Sequence, residues 1–310
     1  MQNNIVSKSN ELIMANYSLT RHEQNLILAC VSQIDSRPEA NLVTINDEFV
    51  VTVEEIKNLF YNDSNKANIY RDLKSASDHL FSREVYIDLP DNEKLRTRFI
   101  SGIKYQPDKA QVTLTFAQNI LPYLTQLRKN FTSYKLIETV QLTSIHAVRL
   151  YEMVVCWSGQ RKWSETMSID DFKYMMGVED TYKQFSNLRE KVIEAAVKQI
   201  NENTKYQITV SYKKVSKTFV SVTFKYYIKG AKILATKDGE MSLDKIKAIV
   251  QSDQFMKDYN DYKLLSGEAK KDTNKFWSEM YDFLANNLKD FNKRPLEEYL
   301  KAPVYSNGRS

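Results

Sequence analysis

The feature that most limits how this chain can fold is an ordered series of signals that occurs twice. In the first series, Leu19-Thr20 precedes an apolar helical pattern through Ile34. Glu23 stands at the third helical position, so Thr20 and Glu23 make a capping box. Thr52-Val53-Glu54-Glu55 opens a short second helix through Phe60, and Asn62-Asp63-Ser64-Asn65 makes a polar turn. A third helix is predicted from about Lys66 to Phe81, with Ile69, Leu73, Ala76 and Leu80 on one face. Residues 85–87, 97–103 and 112–116 then alternate as strands. The second series keeps this order. Leu142-Thr143 starts a helix as Leu19-Thr20 does, Ser168-Ile169-Asp170-Asp171 answers Thr52-Val53-Glu54-Glu55, and Val220-Ser221-Val222-Thr223-Phe224 answers Val112-Thr113-Leu114-Thr115-Phe116. Helices followed by a small sheet are the order of a winged helix, a helix-turn-helix variant. Offsets that differ by a few residues are what loop-length changes between two copies produce. The competing reading is one long unrelated α+β domain. The expected class is therefore α+β, with tandem winged-helix domains, each a helix-turn-helix plus β-wing. The domains span residues 1–125 and 126–230, and a helical or partly disordered extension of unassigned role covers 231–310.

The later copy carries the positive charge. Residues 182–229 hold ten Lys and Arg against three Glu, a surplus larger than the net +5 of the whole chain. A generic solvated surface spreads its charge, so this concentration favours an acidic polymer over a small substrate. An amphipathic helix beside a soluble hairpin is the plainer alternative. Residues 182–201 place Phe185, Leu188, Val192, Ala195, Ala196 and Ile200 at helical spacing. The opposite face shows Lys183, Ser186, Asn187, Arg189 and Lys191, groups that reach phosphates and base edges. Asn201 and Asn203 break the pattern, and 206–212 and 219–224 alternate as the strands of a wing. Its tip is basic, with Lys213, Lys214 and Lys217. In the first copy Lys66, Asn68, Arg71 and Lys74 line the corresponding helix face, with Arg96 and Arg98 on that copy's wing.

Other classes find little support. At 42% hydrophobic and 27% charged the chain has a globular composition, and no apolar run is long enough to span a bilayer. The N-terminus lacks the regions of a signal peptide, so a cytoplasmic protein without membrane partners is expected. Cys30 and Cys156 sit in apolar helical patterns as small buried hydrophobes. His22, His79 and His146 stand apart, so neither a metal site nor a relaxase centre is expected. No GxxxxGK[ST] occurs, so no nucleotide-driven step is expected; nor is any catalytic residue, cofactor or metal. Arg149 and Glu152, three apart on one helix face, read as a structural ion pair. The link 121–141 carries Pro122, Tyr123, Phe131 and Tyr134 but no Gly and reads as packed.

Three stretches carry a family resemblance. They are Tyr17-Ser18-Leu19-Thr20-Arg21-His22-Glu23-Gln24-Asn25-Leu26-Ile27, then Phe131-Thr132-Ser133-Tyr134-Lys135-Leu136 leading to the run from Leu142 through His146, Arg149 and Tyr151 to Glu152, and finally Phe185 to Asn201 with Thr204. In these residues the chain resembles the plasmid replication-initiator (Rep) family, which binds iterons through two winged helices. The resemblance implies a non-enzymatic initiator that binds repeated double-stranded DNA sites and promotes origin opening. It also implies dimers, joined through the N-terminal domain, that bind an inverted-repeat operator and repress the protein's own gene. Monomers would bind iterons, and host replication proteins, the initiator and the helicase-loading machinery, would be partners. The C-terminal winged helix would read bases and the N-terminal one would contact mainly backbone. Carried onto this sequence, the basic cluster falls at Arg189 and Lys191, and Glu190 stands where many relatives are basic. A carboxylate there repels phosphate or accepts from cytosine and cannot replace an arginine fork at guanine. Arg189 itself has two readings, a guanine or phosphate contact and an ion pair with Glu190 or Glu194. Two functional rivals stay open: a transcription regulator without initiator activity, and a metal-dependent nuclease or relaxase.

Overall fold

The computed structural model describes residues 4–60, 68–127, 129–160, 162–229, 234–236, 239–241, 243–286 and 290–300 of the 310. It divides into one unit drawn from residues 1–160 and 164–227 and another drawn from 161–163 and 228–310.

The first unit begins with β1 (Ile5–Ser9), α1 (Asn10–Met14) and α2 (Arg21–Val31). The expected capping box forms: Thr20 Oγ1 accepts the Glu23 N–H at 3.4 Å, and the Glu23 carboxylate accepts the Thr20 N–H at 2.8 Å. Strand β2 (Phe49–Thr52) runs directly into α3 (Val53–Phe60), where Thr52 Oγ1 accepts the Glu55 N–H at 3.0 Å. Helix α4 (Ile69–Ser82) buries Ile69, Leu73, Ala76 and Leu80, the face read from its spacing. Next come β3 (Glu84–Asp88), β4 (Lys94–Arg98), β5 (Ile100–Gln106) and β6 (Gln111–Phe116). The single strand expected over 97–103 is thus two strands in two sheets: β4 pairs with β3, and β5 with β6. The chain bends at Phe99, a buried residue belonging to neither strand, whose carbonyl accepts the Ala117 N–H at 3.0 Å. The polar turn expected at Asn62–Asn65 lies outside the described residues.

The link carries β7 (Phe131–Lys135) and α5 (Ile137–Val140), and the second series of signals then gives the second copy α6 (Ile145–Gly159), β8 (Ser164–Ser168) and α7 (Ile169–Met176). It continues with α8 (Phe185–Leu188), a π-helical segment (Arg189–Glu194), α9 (Ala195–Asn203), β9 (Tyr206–Val215) and β10 (Thr218–Ile228). Its sheet has the order β8-β10-β9 and that of the first copy β2-β6-β5, the same path through three strands. The unequal offsets between the copies have a visible source, because the β3–β4 ribbon stands between α4 and β5 while α9 passes almost directly into β9. Ser168 caps α7 as expected, accepting the Asp171 N–H at 2.9 Å. The cap of α6 is Ser144 rather than Thr143, with Ser144 Oγ accepting the His146 N–H at 3.2 Å. The link is packed as read: β7 pairs antiparallel with β1, a strand absent from the sequence reading, placing Val6 opposite Tyr134.

Helix α6 is buried from Ala147 to Trp157 and forms the axis of the unit. Trp157 stacks on Phe224 and Tyr226 of β10, with centroids 6.0 and 6.3 Å away. Arg149 and Glu152 form the expected i,i+3 pair at 3.6 Å, and both are buried.

The second unit contains the short strands β11 (Leu234–Thr236) and β12 (Gly239–Met241) and the helices α10 (Leu243–Val250), α11 (Asp253–Tyr259), α12 (Thr273–Asn286) and α13 (Leu296–Tyr299). It has its own apolar core, in which Ile246, Ile249, Phe255, Phe276, Met280 and Tyr299 are almost wholly covered. Residues 301–310, the end of the extension expected to be helical or partly disordered, lie outside the described residues.

Candidate nucleic-acid interface

The candidate reading helix runs from Phe185 to Asn203 with a π-helical middle. At its end the Ala195 N–H donates to the Glu190 carbonyl five residues back. The inner face buries Leu188, Val192, Ile193, Ala196 and Ile200, and the wide turn lets the adjacent Val192 and Ile193 both face inward. Asn201 does not break the helix. Its side-chain amide accepts the Ile208 N–H at 2.6 Å and donates to the Ile208 carbonyl at 2.9 Å, clamping the base of the wing to the last helical turn. Gln199 accepts the Ser144 N–H at 3.1 Å and ties the same helix to the start of α6.

At the other end aromatic rings make the joint. Phe185 stacks on Phe219 of β10 at 4.2 Å between centroids and meets Tyr212 of β9 edge-on at 5.3 Å. This helix and the β9–β10 hairpin are therefore held together at both ends, which fixes their mutual spacing. Burial pushes the Tyr212 hydroxyl up to about 12, Glu194 adds to the rise and Arg189 opposes it.

Lys183, Ser186, Arg189, Glu190 and Lys191 are exposed and Asn187 is half-buried, so the residues expected to contact DNA here lie on open surface. Lys183 precedes the helix rather than lying on it. Arg189 Nε lies 3.4 Å from Glu194 Oε1, so of the two readings the isolated protein adopts the ion pair with Glu194. The wing differs from the expected loop: its turn is only Ser216-Lys217, with Ser216 at φ 56°, and Lys213 and Lys214 belong to β9. Lys214 Nζ sits 5.3 Å from the Phe219 ring centre, and all three lysines are exposed. The structure thus brings Arg189, Lys214 and their neighbours together around one aromatic cluster.

The first copy is less cationic. Arg71 and Lys74 are exposed on α4, Asn68 is exposed just before it, and Lys66 lies outside the described residues. Arg71 is 3.7 Å from Asp72, and Lys74 lies 5.5 Å from the Tyr105 ring centre on β5. Arg96 and Arg98 are not on the wing, which is the β5–β6 hairpin; they stand on β4, in the separate ribbon. Arg96 bonds Glu84, and Arg98 reaches the Phe81 carbonyl at 3.4 Å. The reading missed the true wing tip, Pro107–Lys109, where Lys109 is exposed; Pro107-Asp108 was its turn signal. The aromatic joint was missed too, because its members lie in three different elements.

Among the described residues no group of three or more His, Cys, Asp or Glu is placed to hold a metal. None of the described helices is long and apolar enough to cross a membrane. Cys30 and Cys156 are buried and form no disulfide, and burial pushes the Cys30 thiol far above its usual range.

Two family models match the chain, "Initiator Replication protein, WH1" over residues 5–155 and "Initiator Rep protein, WH2" over 168–226. An Escherichia coli "Replication initiation protein" is 28% identical over 262 residues, spanning 81% of this chain and 80% of its own length. An "Uncharacterized 27.6 kDa protein" of Escherichia coli is 25% identical over 221 residues, spanning 67% of this chain and 91% of its own. The solved "Pi initiator protein in complex with iteron DNA" superposes with a TM-score of 0.61 at 19% identity, over 74% of this chain and 99% of that one, a likeness of fold.

Proposed function

From the premise that this chain belongs to the replication initiator (Rep) family with two winged-helix domains, we propose that it starts plasmid replication by occupying iterons at the origin. Residues 126–230 read bases in the major groove through Arg189, Asn187 and Lys191, and the wing lysines 213, 214 and 217 hold phosphates. Residues 1–125 contact the other half of each repeat through α4, mainly at its backbone, and carry the dimer surface. Binding energy goes into deforming the duplex at flexible steps beside the repeats, and no chemistry on DNA is required. Host replication proteins then load on the opened strands, and a dimer acting on an inverted repeat silences the protein's own gene in the cytoplasm. The observation that carries this reading is the exposed cationic helix and wing, bolted together through Phe185 and Phe219. The iteron complex of the Pi initiator, a protein of like fold, supports iteron DNA as the partner.

Footprinting on the DNA flanking the gene tests it. Protection of tandem repeats about two helical turns long, unaffected by EDTA, with permanganate-reactive thymines appearing beside them, is the expected result. Protection of one operator with no reactive thymines would leave a transcription regulator, and loss of binding in EDTA would point to a metal-dependent enzyme.

A further inference from the structure

Between the two winged helices runs a short segment, Ala15-Asn16-Tyr17, bonded to both. On the first side, Asn16 pairs with Tyr86 of β3 through two backbone bonds of 2.9 Å, and Tyr17 packs edge-on against Phe99 at 5.0 Å. On the second side, Asn16 Nδ2 donates to the Tyr174 carbonyl at 2.9 Å and to Glu179 at 2.6 Å. Arg149 of α6 completes the joint. Its Nη2 donates to the Ala15 carbonyl at 2.9 Å and to the Met175 carbonyl at 2.7 Å, Nη1 meets the Tyr17 hydroxyl, and the guanidinium lies 3.9 Å from the Tyr17 ring centre. One planar cation therefore spans backbone from the first copy and from α7 of the second.

Two further features make this joint exacting. Gly177, the left-handed cap of α7 at φ +64°, lies so close that a Cβ there would stand 2.7 Å from the Tyr17 carbonyl carbon and 3.1 Å from the Ser18 nitrogen. Only glycine fits, by conformation and by space. Behind Arg149, Glu152 is balanced by Lys8 of β1 at 2.7 Å and accepts the Tyr134 hydroxyl, all fully buried. An apolar contact tolerates sliding, but a desolvated cation with fixed partners does not, because a small displacement strands charge away from water.

We propose that this joint, keyed by Arg149 and Gly177, holds the two winged helices at one offset and so sets how many base pairs separate the two half-sites the protein accepts. The inference rests on the DNA-binding reading above. One added base pair moves the second half-site about 3.4 Å along the axis and roughly a tenth of a turn around it, further than bonds of this length can follow. Arg149 and Gly177 are positioning residues and touch no DNA.

Selection of bound sequences from a library of random duplexes by the full-length protein tests this. Wild type is expected to enrich two unlike half-motifs at a single spacing, a strong one for the second copy and a weak one for the first, whereas two like half-motifs in inverted orientation mark a bound dimer. Gly177→Ala should enrich the same half-motifs with the spacing moved by at least one base pair or spread over several. Asn16→Ala combined with Tyr17→Phe, which removes bonds without adding bulk, should spread it likewise and decides the matter if Gly177→Ala does not fold. Either variant melting cooperatively and selecting the wild-type spacing as sharply as wild type overturns the proposal. So does a wild-type preference for one undivided motif, which would leave DNA binding intact. Enrichment of no sequence by wild type would remove the DNA-binding reading along with it.

Discussion

Arg189 and Glu194 are ion-paired at 3.4 Å although they stand five positions apart, a spacing that an unbroken α-helix places on different faces. The π-helical turn between them brings the two side chains together. With 44% and 53% of these side chains exposed, the pair contributes little to stability, well under about 1 kcal/mol. It acts instead as a competitor for the guanidinium. Glu194→Gln should therefore raise affinity for the selected duplex, most at low salt, while the urea midpoint barely moves. Arg189→Ala should cost about 1–3 kcal/mol of binding and relax preference at one base position. Fluorescence anisotropy on selected and scrambled duplexes checks both; equal changes on the two DNAs would remove the base-reading role from Arg189.

Lys214 should behave differently. It projects from β9 over the Phe219 ring rather than from a helix in the groove. Lys214→Ala should weaken binding to every sequence by a similar factor and lower the slope of log K against log salt by about one unit. A salt titration measures this, and a sequence-dependent loss with unchanged slope would place Lys214 at a base instead.

How far the chain could be read in advance follows from how local each interaction is. Thr20 with Glu23, Thr52 with Glu55 and Ser168 with Asp171 lie within one turn of each other, so caps and helix starts were legible. The exposed cations of 182–217 were legible because charge needs no partner to be counted. Ser7 and Ser133, opposite one another in the β1–β7 pair, are 126 residues apart, and no local pattern announces such a pairing. The π turn was hidden because Leu188, Val192, Ala196 and Ile200 keep a spacing an ordinary helix would also show.

His146 offers a test by pH. Burial beside the start of α6 lowers its pKa below the usual 6.5, and its ring meets Tyr182 edge-on at 6.3 Å. The unfolded chain therefore takes up a proton at a pH where the folded protein does not. Stability from this group is complete above about pH 6.5 and is lost as pH falls below it, until the folded-state pKa is reached, with a slope of at most about 1.4 kcal/mol per unit. His146→Gln should flatten this part of the stability profile in urea melts between neutral and mildly acidic pH. An unchanged slope would mean that another group titrates there.

The buried pair Lys8–Glu152 carries the sharpest prediction for stability. The two atoms are 2.7 Å apart, with side-chain exposures of 1% and 0%. Burial alone would push the Glu152 carboxyl up, but Lys8, Arg149 and the hydrogen bonds from Lys8 and Tyr134 outweigh it and hold it below the usual carboxylate range. Its contribution is therefore present above about pH 4.5 and lost as pH falls through the lowered folded-state value. Glu152→Gln leaves the Lys8 ammonium without a carboxylate and without water, a cost of about 3–5 kcal/mol. Adding Lys8→Met removes the stranded charge, so the double variant should be more stable than Glu152→Gln alone even though it departs further from the natural sequence. Arg149 keeps its bonds to the Ala15 and Met175 carbonyls in both variants, so the comparison isolates the lysine. Additive losses in the two-variant cycle, measured at pH 7, would show that Lys8 and Glu152 are held by their surroundings and not by each other.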